Sequence, residues 1–434
     1  MKKPRKKLVY VGLSADILHE GHIKILKIAH GLGNVIVGLL TDSAIATYKK
    51  FLHLDYKQRE IVVKNIKYVK KVIPQNSLDY RPNLRLIKPN FVVHGDDWKI
   101  GIQKNTRSQV LKTLKIWGGK LVEPKYTKNI SSSKIKSKIL KIGTSPDSRK
   151  LKLKRLMDAK KIVRVLESHN ALTGLIIENL KVTKKNKFFE FDGMWSSSLT
   201  DSVVRGKPDN QSVDYSTRIS GLNEILEVTT KPIIFDADNG GRLEHLPYMI
   251  KSLERIGVSA AIIEDKVGLK KNSLFEDQSE TKQDTIKRFC QKIAKAKETK
   301  ISDDFLIIAR IESFILRKGL NDALKRAEAY SKAGADAILV HSKENSPNQI
   351  FSFAKKFIKS KHYKPMVAVP SSYSKTYEKD LIKNGFKIII YANHMIRASY
   401  PAMLNTAKSI LINKRSYNIE KKIIPIKKII NLIK

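Results

Sequence analysis

The chemistry open to this chain gathers at the ends of apolar runs. Glu264-Asp-Lys-Val-Gly-Leu-Lys-Lys-Asn-Ser273 directly follows Val258–Ile263, which reads as a buried strand. Asp236 and Asp238 close the run that begins at Pro232, and Asp209 ends the stretch Arg-Gly-Lys-Pro-Asp. Carboxylates at buried strand ends need a cation beside them. Oxygen donors without His or Cys favour a hard ion over zinc. Asp236, Asp238 and Glu264 are therefore candidate Mg²⁺ ligands, with Asp209 beside them. Lys270 and Asn272 add a cation and an amide to the same loop, as an anionic substrate requires. A charged surface loop is the competing reading. The other strand ends speak against it: Trp195 and Ser197, Arg310 and Glu312, His341 and Asn393 stand in matching places.

A second centre lies near the start. Leu8–Leu13 reads as a buried strand, followed by Ser14-Ala-Asp-Ile-Leu-His-Glu-Gly-His22 and a helix with Ile25, Ile28 and Ala29 on one face. His19, Gly21 and His22 thus fall at a strand-to-helix turn, where free backbone N–H groups attract phosphate. Two imidazoles flanking a glycine suit a triphosphate and its departing pyrophosphate. Further on, Thr127-Lys-Asn-Ile-Ser-Ser-Ser-Lys-Ile135 places hydroxyls at a helix start, a second phosphate cradle.

The elements that must hold these groups alternate strand and helix. Strands are predicted at 8–13, 35–41, 69–73, 91–94 and 120–123, with a helix over 56–66 carrying Arg59. After residue 160 eight more are predicted: 162–167, 189–193, 232–236, 260–264, 305–310, 337–341, 366–370 and 388–391. Helical patterns lie between them, as at 321–333 and 350–358. Eight βα units in a stretch of this length fit a TIM barrel, whose chemistry sits at the C-terminal ends of its strands. The fold class is α/β: a Rossmann-like nucleotide-binding domain over 1–140, then a (β/α)8 barrel with C-terminal helices over 159–434. Between them, 141–158 combines turn formers with a basic run, and reads as a linker entering a surface helix.

With 434 residues and 41% hydrophobic content, the chain can fill two cores. It contains no apolar run of membrane-spanning length and no secretory signal. A single cysteine, Cys290, excludes intramolecular disulfides and a cysteine zinc cluster. A cytoplasmic setting fits. The net charge of +43 invites a nucleic-acid reading. The lysines, however, are spread through every segment rather than gathered with aromatics into a stripe, so no specific nucleic acid is expected.

With these residues in hand, the first third resembles the His-x-Gly-His nucleotidyltransferases, and among them the cytidylyltransferases of the glycerol-phosphate and ethanolamine-phosphate type. Asp16 with His19-Glu-Gly-His22, Gly95-Asp-Asp-Trp98 and Ile130-Ser-Ser-Ser match in order. The resemblance implies CTP binding by Asp16, His19, Gly21, His22 and Asp96, with Ser131 and Ser132 on phosphates. Two departures stand out: the usual Gly-x-Phe-Asp opening reads Gly12-Leu-Ser-Ala-Asp16, and Tyr126-Thr127 replaces the Arg-Thr before the Ile-Ser motif.

The second domain resembles the phosphoenolpyruvate mutase family of the isocitrate lyase superfamily. The resemblance runs through Asp192-Gly-Met-Trp-Ser-Ser-Ser-Leu199, Phe235-Asp-Ala-Asp-Asn-Gly240, Glu264 to Ser273, Ile308-Ala-Arg-Ile-Glu-Ser313, Ala333 to Ser342 and Tyr391-Ala-Asn-His394. It implies conversion of phosphoenolpyruvate to phosphonopyruvate, with Mg²⁺ held by Asp236, Asp238 and Glu264. In that reading Arg310 takes the substrate carboxylate, helped by backbone N–H groups of Ser197, Ser198 and Leu199. Lys270, Asn272 and His341 hold the phosphoryl group, Asp209 assists, Ser273 closes the lid on the substrate, and Trp195 forms a wall. Relatives that cleave carbon–carbon bonds carry a cysteine where this chain has Lys271-Asn-Ser. The family also implies a homo-oligomer, a dimer or tetramer, with 392–411 as an exchanged helix. Together the domains suggest an enzyme of phosphonate biosynthesis whose first domain transfers CMP to a phosphonate or phosphate monoester. A phosphonopyruvate hydrolase is the alternative, against which the Lys-x-Asn-Ser loop speaks. A polyanion-binding protein with relic domains is another, against which the polar strand ends speak.

Overall fold

The computed structural model describes residues 7–46, 54–99, 103–125, 144–184, 187–268 and 270–432. Ser131 and Ser132 lie outside the described residues. Two compact units divide the chain, 1–163 with 179–192, and 164–178 with 193–434.

In the first unit, five parallel strands form one sheet: β1 (Leu8–Leu13), β2 (Asn34–Leu40), β3 (Lys71–Gln75), β4 (Phe91–Val93) and β5 (Lys120–Val122), in the order β3-β2-β1-β4-β5. The central strands are valine- and leucine-rich and buried on both faces, as parallel strands under helices must be. Backbones approach closely here: a Cβ at Gly38 would collide with the Tyr10 hydroxyl. The helix Glu20–Leu32 follows β1, and Tyr56–Lys64 starts at a capping box in which Asp55 accepts from the Gln58 N–H at 2.9 Å. Beyond the sheet, Pro146–Ala159 is helical, started by the Ser145 cap with proline in its first turn. It is not the solvated surface helix expected: Arg149, Lys150 and Lys152 of the basic run are buried.

In the second unit the eight-stranded parallel barrel closes as expected. Its strands are β6 (Val163–Glu167), β9 (Gly193–Ser196), β10 (Ile233–Asp236), β11 (Ala260–Glu264), β14 (Leu306–Ile311), β15 (Ala337–Val340), β16 (Met366–Ala368) and β17 (Phe386–Tyr391), with β17 returning to β6. The second strand differs from expectation. Phe188 and Phe189 belong to a short exposed hairpin, β7 (Val182–Lys184) with β8 (Lys187–Phe189), and the barrel strand begins only at Gly193. The expected strand 189–193 takes its apolar residues from Phe189 and Phe191, whereas the barrel strand is Gly-Met-Trp-Ser. Trp195 therefore lies within β9 and not beyond it. A second small ribbon, β12 (Lys266–Val267) with β13 (Lys282–Gln283), forms the base of the loop that follows β11. After β17 runs the helix His394–Asn413, none of whose residues is buried. Among the described residues no helix is long and apolar enough to cross a membrane.

Candidate active site

The C-terminal ends of the barrel strands enclose a cavity of about 70 Å³. Trp195, Ser197, Ser198, Leu199, Asp209, Asp236, Glu264, Lys270, Asn272, Ser273, Arg310 and His341 line it. Asp238 lies just behind, in a left-handed turn with φ +48° after β10. That conformation is tolerated by Asp more readily than by most residues, and Asp236 and Asp238 both reach the charge cluster around Lys270 and Arg218.

The carboxylates are buried and differ from one another. Asp236 accepts from the Ser198 hydroxyl at 2.9 Å and from its N–H at 3.4 Å. Burial would raise its pKa, but Lys270, Arg310 and Arg218 outweigh that and hold it below the ordinary value. Burial wins at Asp238, which is raised, and at Glu264, pushed up to about 7 despite Arg310 and Lys266. Behind them Arg218, stacked on Phe235 at 4.2 Å, donates to Asp201 at 2.9 Å and to the Asp236 carbonyl at 2.6 Å.

A set of all-oxygen donors, two of them raised by burial, suits a hard divalent ion. Among the described residues no three such side chains converge into a ready-made metal cage. Mg²⁺ keeps several waters and takes only one or two carboxylates directly, so it needs no such cage. The donor set fits it.

The loop after β11 is folded down over this floor. Lys270 is ion-paired with Asp209 at 2.8 Å and with Asp238, and it contacts the Ser198 hydroxyl. Burial lowers its pKa, yet Asp238, Asp236 and Asp209 together raise it, so the ammonium stays charged. Asn272 donates to the second Asp209 oxygen at 2.7 Å. Asp209, expected beside a metal, is thus the seat on which both lid side chains rest. Ser273 lines the cavity, and its hydroxyl donates to Glu312 at 2.7 Å.

On the opposite wall Arg310 donates to Glu312 at 2.5 Å and lies 3.2 Å from Glu264. Its acidic neighbours keep it charged in spite of burial. His341 sits 3.0 Å from Glu312 through Nδ1, and burial together with Arg310 lowers its pKa, leaving it neutral without a ligand. Glu312 and Arg218 carry no role in the sequence reading. For Glu312 the signal was present, since it stands two residues after Arg310, just past the end of β14, where alternate residues of extended chain share a face. Arg218 shares the buried face of its helix with Leu222 and Ile225, a stripe that reads as apolar packing.

In the first unit, β1 and β4 are neighbours whose connections leave in opposite directions, the crevice where open α/β sheets bind ligands. His19, at the N-cap beyond β1, accepts from the Gly21 N–H through Nδ1 at 3.2 Å. His22 Nδ1 accepts from the His19 N–H at 3.4 Å, and the rings lie 4.0 Å apart. Because each Nδ1 accepts a hydrogen bond, the neutral rings carry their protons on Nε2. Asp16 accepts from the Leu54 N–H at 3.2 Å. Arg59, fully buried, ties the ends of β1 and β2 together by donating to the carbonyls of Ser14 at 2.6 Å and Leu40 at 2.8 Å. Across the crevice Asp96 opens the turn after β4, its N–H bonded to the Pro124 carbonyl at 3.2 Å. Next to it His94 stacks on Trp98 at 3.9 Å.

Comparison with known proteins agrees with both halves. Residues 10–138 match the cytidylyltransferase-like family. A phosphoenolpyruvate phosphomutase from Tetrahymena pyriformis is 34% identical over 294 residues, 68% of this chain and 94% of that protein. A phosphonopyruvate hydrolase from Variovorax sp. is 34% identical over 240 residues, 55% of this chain and 81% of that protein. Among solved structures, a phosphoenolpyruvate phosphomutase from Streptomyces platensis subsp. rosaceus superposes with a TM-score of 0.60 at 32% identity, covering 65% of this chain and 94% of that one. A phosphonopyruvate hydrolase complexed with oxalate and Mg²⁺ gives a TM-score of 0.58 at 29% identity, with coverage of 65% and 94%. Since the phosphoenolpyruvate phosphomutase family matches residues 153–411, more than half of the sequence, the chain belongs to that family and carries a cytidylyltransferase-like domain ahead of its barrel.

Proposed function

We propose that the barrel interconverts phosphoenolpyruvate and phosphonopyruvate. The P–O bond of the enol ester breaks and a P–C bond forms at C3, while the enol oxygen becomes the ketone oxygen, so no oxidant or reductant is needed. One observation carries this reading: Lys270 and Asn272 lie folded over a cavity walled by Arg310 and His341, with no thiol in the loop. Arg310 presents a planar fork to the substrate carboxylate, with the Leu199 backbone N–H beside it. Lys270, Asn272 and His341 hold the phosphoryl oxygens as it swings from oxygen to carbon, work that is mostly positioning and charge. Mg²⁺, held by Asp236 with Asp238 and Glu264 on it or its waters, would stabilise negative charge on the enolate oxygen. The closed loop keeps water from the phosphoryl group. ³¹P NMR of the protein with phosphonopyruvate and Mg²⁺ tests this: a phosphoenolpyruvate signal is expected, while inorganic phosphate and pyruvate alone would make it a hydrolase.

For the first domain we infer transfer of CMP from CTP to a phosphonate or phosphate monoester. An acceptor oxygen attacks the α-phosphorus and pyrophosphate leaves. The Nε2–H groups of His19 and His22, pre-set by the helix cap, are suited to donate to phosphate oxygens. His22→Ala should remove pyrophosphate release from CTP and leave phosphonopyruvate chemistry unchanged. Release with ATP but not CTP would overturn the base assignment.

The helix His394–Asn413 supports a homo-oligomer. Met403, Leu404, Leu411 and Ile412 are exposed on it, an apolar surface that a second copy would cover.

A further inference from the structure

Glu312 has no exposed surface, and its carboxylate is where the two halves of the barrel site meet. Arg310 donates to it at 2.5 Å and His341 lies at 3.0 Å. The Ser273 hydroxyl donates to it at 2.7 Å, and the Lys266 ammonium stands 4.0 Å away. Ser273 in turn accepts from Arg310 Nη2 at 3.0 Å and from Lys266 at 2.8 Å. Lys266 also donates to the Lys271 carbonyl at 2.7 Å, so the lid's backbone is held by the same group of residues. His341 Nδ1 lies 2.9 Å from Arg310 Nη2 as well, but one nitrogen cannot donate to the carboxylate and accept from the guanidinium together. The carboxylate takes the Nδ1 proton, so Nε2 is an acceptor while the ring is neutral and donates to a phosphoryl oxygen once the ring is protonated.

Glu312 cannot swing to follow its partners. Its N–H donates to Asp265 at 2.9 Å. Asp265 is itself fully buried, accepting from Tyr330 at 2.7 Å, Gln283 at 2.8 Å and Arg326 at 3.2 Å. A buried carboxylate is a poor choice for stability alone, since an apolar group of the same shape often serves better. It is a good choice for holding an arginine, a histidine and a lid hydroxyl to one fixed point.

We propose that Glu312 is a positioning residue which, through the Ser273 hydroxyl, makes closure of Lys270–Ser273 over the cavity and alignment of Arg310 and His341 a single event. The inference rests on the substrate roles given above to Arg310, His341 and the lid.

The test compares wild type, Glu312→Gln, Ser273→Ala and the double variant. Three readouts apply to the whole protein: phosphonopyruvate turnover, affinity for oxalate with Mg²⁺, and tryptic cleavage after Lys270 and Lys271. Misalignment by about 1 Å can cost roughly 10²-fold in rate. Glu312→Gln should therefore lower kcat by roughly 10²-fold, raise KM and oxalate Kd, and lose oxalate protection from trypsin. Ser273→Ala should shift the same readouts by less, and the double variant should be no worse than Glu312→Gln. Fully additive losses, or a fall in Tm with kcat, KM and protection unchanged, would overturn the proposal. If Glu312→Gln does not fold, Ser273→Ala decides: unchanged protection and oxalate affinity overturn it. If the wild type shows no mutase turnover, the reaction reading fails, while oxalate affinity and trypsin protection still judge the coupling.

Discussion

The two candidate sites are built on opposite plans. At the His-x-Gly-His turn, the two imidazoles are fixed by backbone groups within three residues of themselves. In the barrel, charged groups are held largely by other charged groups, most of them from other elements: Lys270 by Asp209 and Asp238, Arg310 by Glu264 as well as by Glu312 two residues on. A local plan confines the effect of a substitution to one turn. A plan of crossed ion pairs spreads it, because removing one partner leaves another charge buried and unmatched.

That contrast can be broken experimentally, most severely at Asp236. Asp236→Ala should abolish mutase turnover at any Mg²⁺ concentration, with CTP chemistry in the first domain untouched. Mutase activity that survives EDTA treatment would remove the metal from the barrel. Next in size, Asn272→Ala should lower kcat by about 10²-fold if the amide acts mainly in the transition state. Its melting temperature should hardly move, since Asn272 lies on a loop; a change in Tm alone would make Asn272 a loop brace. The smallest effect is in pH dependence, read as two transitions in a calorimeter. Arg107 draws Glu123 in the first unit down to about 2, with Trp98 also donating to it. Its contribution is present above the ordinary value of 4.5 and is lost as pH falls through about 2. Glu264 in the ligand-free barrel has the reverse sign. Burial lifts Glu264 from 4.5 to about 7, so its contribution is complete below 4.5 and is lost as pH rises through 7. Parallel acid and neutral profiles for the two transitions would erase the distinction.

Most of the barrel was legible because its strands are short apolar runs ending in a polar residue. β11 begins and ends as read, and β10 and β14 fall within one residue of expectation. The second strand was not, since 189–193, with Phe189 and Phe191, read as the strand in place of Gly193–Ser196, and only barrel closure shows which is inside. The residues of the site were legible by position, but their partners were not. Lys270 read as a substrate group, yet it also serves as counter-charge for Asp209 and Asp238. Ser273 read as a substrate contact, and its hydroxyl also serves Glu312. Such pairings join residues tens of positions apart, and no local pattern encodes them. In the first unit, the helix cap made by His19 and His22 was legible as a strand-to-helix turn, because its partners are its own neighbours.

At the C-terminal end of the barrel's first strand stands Glu167, last residue of β6. It is fully buried beside His169, and its second oxygen accepts from the N–H groups of Met395 at 2.8 Å and Ile396 at 3.2 Å. The first strand of the barrel therefore caps the helix that follows the last. During synthesis, that carboxylate must wait for some 228 further residues before its backbone donors leave the ribosome. Contacts so distant in sequence form late, and a barrel interrupted before them exposes unfinished strand edges. The nascent chain is thus most vulnerable to misassembly in the interval between β6 and residue 396, and a truncation just short of that helix would leave the first strand's carboxylate without the donors it was placed to meet.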